Sequence, residues 1–240
     1  MKLSVVIPAY NAARHIETVL ARVAGLAACG LQEVIVVDDG SRDATPRLVA
    51  AWQTSAFRVR LLKRSQNGGY GAAMKDGLAA ARKGEPDVVA CIHADGQYAP
   101  EVLPDMIEQL SRRRLDLLQG SRIAAGTALR GGMPLYKYVA NGLLNRIENH
   151  TLELSMTDYH SGYLVYGARS LGLPFGSLSN SFDFDLEVIA SARAHGLSVG
   201  EAPIPTHYGD EISHLNPVTY GLRVLRVMWN YRRGRYAPSA

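Results

Sequence analysis

Three side chains of types that bind divalent cations follow one apolar stretch of this sequence. The stretch, residues 88–92, is typical of a buried strand, and His93, Asp95 and Gln97 come after it at alternate positions. Alternate residues of an extended segment point the same way, so the spacing predicts that all three side chains leave the sheet on one side. Carboxylate and amide oxygens suit Mg²⁺, and an imidazole shifts the preference toward Mn²⁺. The segment therefore predicts a cation site.

A second apolar run also ends in polar residues. Val34–Val37 is followed by Asp38, Asp39, Gly40 and Ser41. Ligands in open parallel sheets bind just beyond the carboxyl ends of the strands. Two polar strand ends of this kind predict one site that holds a nucleotide together with a cation.

The elements that would position these residues alternate between strand and helix. Apolar runs and helical spacing predict an α/β fold, a mostly parallel, doubly wound sheet with helices on both faces. Residues 126–132 and 208–216 are predicted to be loops. Strands are predicted at 4–8, 33–37, 58–62, 87–92, 115–119, 162–166 and 199–205, and helices at 12–28, 46–52, 72–82, 100–113, 135–147, 186–194 and after Pro217.

Composition limits the class of protein. A chain of 240 residues with 47% hydrophobic residues can form one large domain with a substantial core. No apolar run approaches the roughly 20 residues of a transmembrane helix, and no signal peptide is expected because a strand pattern begins at Leu3. The two cysteines are predicted to be free and buried, which favours a reducing cytoplasm. No acidic residue follows Glu211, so the net charge of +4 reflects a basic tail.

Several motifs resemble those of family 2 glycosyltransferases, which have the GT-A fold. The motif ADGQYAP at 94–100 occupies the place of that family's Asp-x-Asp segment. Two further motifs of the family are VVIPAYN at 5–11 and VVDDGSRDAT at 36–45. Three others are similar to one branch, that of dolichyl-phosphate mannose synthase and its bacterial polyprenyl-phosphate relatives. These three are GSR at 120–122, DYHSGY at 158–163 and EAPI at 201–204.

The sequence departs from the family pattern at two places. His93 stands where the first Asp of Asp-x-Asp is expected, and residues 206–214 replace the basic loop that the polyprenyl-phosphate branch has near its end. The resemblance still spans about residues 3–215. It predicts a GT-A glycosyltransferase domain over 1–215 and a basic amphipathic helix and tail over 216–240.

The resemblance also implies a donor site. Asp95, Gln97 and His93 would hold Mg²⁺ or Mn²⁺ against the diphosphate of a UDP- or GDP-linked sugar. His214, in a loop rich in histidine and carboxylates, is a further candidate ligand. Asp39 would contact the base or ribose, whereas Asp38 points to the other side of the strand end and is predicted to be structural. The residues predicted to bind the nucleotide are Pro8, Tyr10, Asn11, Val37, Asp39, Ala94 and Lys137.

The predicted catalytic residues are Asp95, Arg122 and Asp158. A cation near the leaving group stabilises the charge that develops there, which is the role predicted for Arg122. Asp158 is the candidate base for a hydroxyl acceptor, and it would only orient sugar or acceptor if the acceptor were a phosphate. Asp183, Asp185 and Glu187 are interpreted as favourable charges at a helix N-terminus.

The predicted activity is inverting, metal-dependent transfer of a sugar to a polyprenyl phosphate at the cytoplasmic face of a membrane. The resemblance, not the residue pattern, implies inversion. Two alternatives stay open, a soluble or cell-envelope hydroxyl acceptor and a nucleotide-sugar-binding module without catalysis. The apolar stripe of the C-terminal helix, with Trp229 and Tyr231, predicts contact with a membrane surface, the sheet or a second copy in a homodimer. No nucleic-acid partner is predicted.

Overall fold

The structure is a computed structural model that describes residues 1–126, 133–205 and 217–238. Seven strands and seven α-helices lie within those residues. The strands are β1 (Leu3–Ala9), β2 (Leu31–Asp38), β3 (Arg58–Lys63), β4 (Val88–Cys91), β5 (Leu117–Ser121), β6 (Leu164–Gly167) and β7 (Val199–Pro203). The helices are α1 (Ile16–Ala24), α2 (Thr45–Ala51), α3 (Tyr70–Arg82), α4 (Leu103–Arg112), α5 (Leu135–Leu152), α6 (Phe184–Ala194) and α7 (Pro217–Arg232).

The strands form one sheet in the order β3-β2-β1-β4-β6-β5-β7. The first four strands of the chain pair in parallel, and β7 pairs in parallel with β5. Only β6 among the described strands runs against its neighbours, β4 and β5. The mostly parallel sheet is therefore confirmed. Because β6 is reversed, residues just before it lie at the edge where the other strands end.

Each face of the sheet is covered by its own apolar cluster. Val6 of β1 belongs to the cluster with Met74 of α3, together with residues of α5, α6 and α7. Val5 and Ile7 belong to the opposite cluster with Leu20 of α1, together with residues of α2 and α4. Strands buried on both faces need apolar residues at nearly every position, which explains their unbroken apolar runs.

The predicted elements are present, with differences at their ends. The helix predicted over 12–28 is shorter, because α1 ends at Ala24 and a 3₁₀ turn, Ala27–Cys29, follows it. Gly30 closes this turn at φ +83°, and a Cβ there would stand 2.3 Å from the carbonyl oxygen of Met1. The predicted loops at 126–132 and 208–216 lie, apart from Gly126, outside the described residues.

Candidate active site

The segment after β4 turns sooner than the sequence predicts. The strand ends at Cys91, and Gly96 adopts φ +74°, so 93–97 is not an extended segment with alternating side chains. The backbone N–H of Gln97 donates to Asp95 Oδ1 at 3.0 Å, which is the local bond of an Asx turn. The prediction that His93, Asp95 and Gln97 lie on one side of an extended segment is therefore wrong. The turn still keeps the half-buried Asp95 at the carboxyl end of the sheet.

His93 is held on three sides. Its Nε2 lies 3.2 Å from the carbonyl oxygen of Gly162, and the rings of Tyr70 and Tyr98 pack edge-on with centroids 5.6 and 5.3 Å away. Burial lowers the pKa of the imidazole despite the nearby charge of Asp95. The ring is therefore neutral at pH 7, Nε2–H donates to Gly162, and the lone pair belongs to Nδ1.

Gly162 is required for this arrangement. Its φ is +74°, and a Cβ at this position would stand 2.7 Å from His93 Nε2 and 3.3 Å from Asp185 Oδ2. A side chain would thus combine backbone strain with a collision against the imidazole. Gly162, two residues before β6, therefore has to be glycine because His93, two residues after β4, packs against it.

Asp39 shapes the turn that leads into α3. It is 3% exposed, and its two carboxylate oxygens accept the backbone N–H groups of Gly68 and Gly69, both at 2.9 Å. Arg64 Nε pairs with Asp39 Oδ1 at 2.8 Å. Gly69 is followed by Tyr70, the first residue of α3, whose ring contacts His93. Asp39 thus connects the end of β2 to the end of β4, and its contact with a base or ribose stays a prediction.

The other residues predicted to bind nucleotide differ in exposure. Tyr10 is 47% exposed, whereas Val37 is 0% exposed and packs in the core. Asn11 adopts φ +51° and its Oδ1 accepts the N–H of Arg42 at 2.9 Å, which ties the ends of β1 and β2 together. Val37 cannot offer its side chain to a ligand in this arrangement. Pro8 is half-buried and Ala94 is buried, Lys137 lies in α5 without a described side chain, and His214 lies outside the described residues.

Arg122 and Asp158 form a buried ion pair. Arg122 Nε and Nη2 donate to Asp158 Oδ2 and Oδ1 at 2.7 and 2.9 Å, and the backbone N–H of His160 donates to Oδ1 at 3.0 Å. Burial alone would raise the pKa of Asp158, but the guanidinium outweighs it and the pKa is lowered. A fully buried carboxylate with a lowered pKa is a weak base, so this geometry does not suit the predicted role of Asp158 in proton abstraction.

His160 links this ion pair to two helices. Its Nε2 lies 3.3 Å from Glu148 Oε2 of α5, and its Nδ1 lies 3.0 Å from the hydroxyl of Tyr220 of α7. Burial acts to lower the pKa of His160, but the carboxylate of Glu148 raises it overall. The site is therefore coupled to α7 by a hydrogen bond and to α5 by the close contact of His160 with Glu148.

Asp185 is a site residue that the sequence interpretation missed. Burial raises its pKa from 3.8 to about 7, although the hydroxyl of Tyr70 donates to Oδ2 at 2.8 Å. Its Oδ1 is buried and accepts no hydrogen bond from the described part of the chain. Phe184 and Leu186 flank it in sequence, and this apolar context was the signal for burial. The carboxyl group faces the same space as His93 and Gly162.

The raised pKa of Asp185 predicts a pH-dependent stability. Folding holds a proton on this carboxyl, so the free energy of unfolding should fall as pH rises from about 4 to about 7 and then level off. Asp185→Asn removes the ionisation and should gain roughly 3 kcal/mol relative to the unaltered chain between pH 5 and pH 8. Urea unfolding at the two pH values measures this. Parallel pH curves for the two proteins would contradict it.

The donor set at the end of β4 fits a cation that a bound substrate helps to hold. No cluster of three or more His, Cys, Asp or Glu side chains within residues 1–126, 133–205 and 217–238 is arranged to hold an ion. Asp95 Oδ2 accepts no hydrogen bond from those residues, so one carboxylate oxygen remains available. Mg²⁺ in nucleotide sites is commonly held by one or two carboxylates and by substrate phosphates. A single available carboxylate beside a neutral imidazole meets that requirement.

Comparison with known proteins identifies the family. The family model described as "Glycosyl transferase family 2" matches residues 4–172. The chain is a family 2 glycosyltransferase. This glycosyltransferase is 29% identical to the UDP-N-acetylglucosamine–dolichyl-phosphate N-acetylglucosaminyltransferase of Methanococcus voltae, over 85% of the chain and 84% of the relative. It is also 29% identical to the polyprenol monophosphomannose synthase of Mycolicibacterium smegmatis, over 83% of the chain and 75% of the relative.

A solved structure confirms the fold of the glycosyltransferase. Glucosyl-3-phosphoglycerate synthase from Mycobacterium tuberculosis, determined with Mn²⁺, UDP and phosphoglyceric acid, matches with a TM-score of 0.70 at 20% identity, over 100% of this chain and 80% of that one. The glycosyltransferase therefore has the predicted GT-A fold. Among its described residues, helices of the length and hydropathy needed to cross a bilayer are absent.

Proposed function

We propose that this glycosyltransferase moves a sugar from a nucleotide diphosphate to a polyprenyl phosphate, with inversion at the anomeric carbon. Relatives named for dolichyl and polyprenyl phosphate acceptors align with 83% or more of the chain. Another, the undecaprenyl-phosphate mannosyltransferase of Micrococcus luteus, aligns at 29% identity over 85% of it. The acceptor lies in membranes, so we place the enzyme at a cytoplasmic membrane face.

The observation that carries this proposal is the buried guanidinium at the carboxyl edge of the sheet. Arg122 is 8% exposed, and Asp158 accepts two hydrogen bonds from its guanidinium. The positive charge of Arg122 contributes to the lowered pKa of His93. In the transfer, the bond from the anomeric carbon to the β-phosphate oxygen breaks and a bond to the acceptor oxygen forms. Negative charge grows on the departing nucleoside diphosphate, where a fixed cation stabilises it without reorganising.

The divalent ion belongs to the same proposal. Asp95 would hold Mg²⁺ or Mn²⁺ together with donor phosphates, and the neutral His93 and Gln97 are the neighbouring candidate ligands. The bound ion would supply Lewis-acid stabilisation of the leaving diphosphate. The chain itself contributes orientation, because Gly162, Tyr70 and Tyr98 fix the imidazole.

A phosphate acceptor explains why the ion pair of Asp158 is acceptable in an active site. The oxygen of a phosphate monoester is already anionic, so the attack needs no strong base. Asp158 can then serve entirely to orient Arg122. This is the role that its burial and lowered pKa suit.

A second candidate acceptor is a hydroxyl group, and Asp185 is the observation that favours it. Its carboxyl faces the space beside His93 with one oxygen unpartnered among the described residues. A pKa of about 7 is suited to proton abstraction near neutral pH. In this alternative Asp185, and not Asp158, would take the proton of the acceptor hydroxyl.

The acceptor assay is designed around Asp185. The full chain is incubated with labelled UDP- and GDP-sugars, Mn²⁺ and either a polyprenyl monophosphate or simple sugar acceptors, and label is followed into organic solvent. We expect transfer to the lipid phosphate, at a rate that Asp185→Asn changes by less than about tenfold. A loss of about 10² to 10⁴-fold in the Asn variant, with label on a hydroxyl, would favour the alternative and overturn the proposal. The anomeric configuration of the product tests inversion.

A further inference from the structure

Two neighbouring helices expose apolar side chains on the outside of the molecule. On α7, Leu222 and Trp229 are 64% and 62% exposed, while Val224 and Val227 on the opposite side of the helix are buried. The helices α5 and α7 pack against each other and against the core. We call the outer side of this pair the α5/α7 face. Its exposed apolar residues are Leu135, Tyr136, Val139, Leu143, Leu222, Leu225 and Trp229.

The α5/α7 face is also cationic. With 100° per residue, Arg226 and Arg233 fall beside the stripe of Leu222 and Trp229, and the guanidinium of Arg233 lies 5.7 Å from the Trp229 ring centroid. Four exposed arginines, Arg226, Arg232, Arg233 and Arg235, lie on or just after α7.

Neither of the two helices contributes an exposed carboxylate to the described part of this face. No Asp or Glu occurs in the sequence of α7, and the single one in α5, Glu148, is completely buried against His160. Apolar side chains bordered by arginines, with Trp229 among them, are typical of a helix lying in the interface of a membrane.

We propose that the α5/α7 face docks on the surface of an anionic lipid bilayer. Charge complementarity selects this partner over a second copy of the chain. In a two-fold dimer through this face the same patches would meet. The arginines of both copies would then approach each other without an exposed carboxylate from either helix to neutralise them. Anionic headgroups neutralise the arginines, and the exposed apolar side chains enter the acyl boundary.

The inference goes beyond the acceptor proposal and can be tested without any substrate. The full chain is sedimented with vesicles of phosphatidylcholine containing 30% phosphatidylglycerol, and with pure phosphatidylcholine, at about 0.1 and 0.5 M NaCl. No donor, divalent cation or polyprenyl phosphate is present, so binding is measured independently of glycosyl transfer. We expect binding to the anionic vesicles that weakens at high salt.

Matched variants locate the docking surface. Replacing Arg226 and Arg233 by serine should lower the partition coefficient about 30-fold, because each arginine near an anionic surface contributes about fivefold. Replacing the exposed Arg82 and Arg112 of α3 and α4 by serine gives the same change of net charge and should alter binding by less than about twofold.

A second pair tests the apolar contribution. Leu222→Ser with Trp229→Ser should also reduce binding by tenfold or more, and because both residues are exposed the fold should be little affected. Absence of vesicle binding by the unaltered chain would overturn the proposal. Equal losses in the α7 and the control arginine pairs would overturn it as well. A dimer in light scattering that the Leu222 and Trp229 pair converts to a monomer would assign the face to a second copy instead.

Discussion

An Asp95→Asn variant is expected to transfer sugar about 10² to 10³ times more slowly than the unaltered enzyme. The substitution removes the one carboxylate at the end of β4 that is available to hold a divalent ion against the leaving diphosphate. Loss of one group that stabilises developing charge typically costs this much in rate. Asparagine keeps an oxygen that can accept the N–H of Gln97, so the turn and the stability should be preserved. The variant therefore tests the negative charge of Asp95 separately from the turn that the residue stabilises.

Ligand binding provides a readout besides the rate. Titration calorimetry with UDP and GDP, with and without Mn²⁺, should show that the ion tightens nucleotide binding to the unaltered chain. That dependence should be absent in Asp95→Asn. Asp105→Asn, the same change at an exposed position of α4, serves as the control and should behave as the unaltered chain. Full Mn²⁺-dependent binding by the Asp95 variant would refute the proposed ion site.

The strand and helix order could be predicted from sequence because it depends on local patterns. Unbroken apolar runs identified β1, β2 and β4, since strands covered on both faces must be apolar throughout. The direction of β6 could not be predicted in this way. An apolar run of four residues carries no information about which way the strand pairs. Yet the reversal of β6 brings Asp158 and Gly162 to the edge where β4 ends.

The contacts of the candidate site could not be predicted from the sequence. Asp95, Arg122 and Asp158 were each predicted to be catalytic, but the bond between Arg122 and Asp158 joins residues 36 positions apart, which spacing cannot reveal. Asp185 was missed for a related reason. A carboxylate at the start of a helix is adequately explained by the helix dipole, and only the fold shows that this one is buried beside Tyr70.

The second large effect is expected at Asp158. Asp158→Asn would remove the negative charge that Arg122 Nε and Nη2 contact at 2.7 and 2.9 Å, and it would place amide hydrogens against one of those N–H groups. Breaking a buried pair from one side costs about 3 to 5 kcal/mol. For a chain of this size that corresponds to a fall in Tm of roughly 6–20 °C. Sugar transfer should fall as well, because Arg122 loses the bonds that orient it.

Asp185→Asn is the natural control for this experiment, because it makes the same change at another buried carboxyl, one that pairs with no guanidinium among the described residues. At pH 8 the free energy of unfolding should therefore change in opposite directions, falling in the Asp158 variant and rising in the Asp185 variant. A double variant, Arg122→Met with Asp158→Asn, should lose less than the sum of the two single changes, by about 2 kcal/mol or more, since the two side chains form a direct buried ion pair. Additive losses would mean that the pair contributes little, and the argument that Asp158 exists to hold Arg122 would fail.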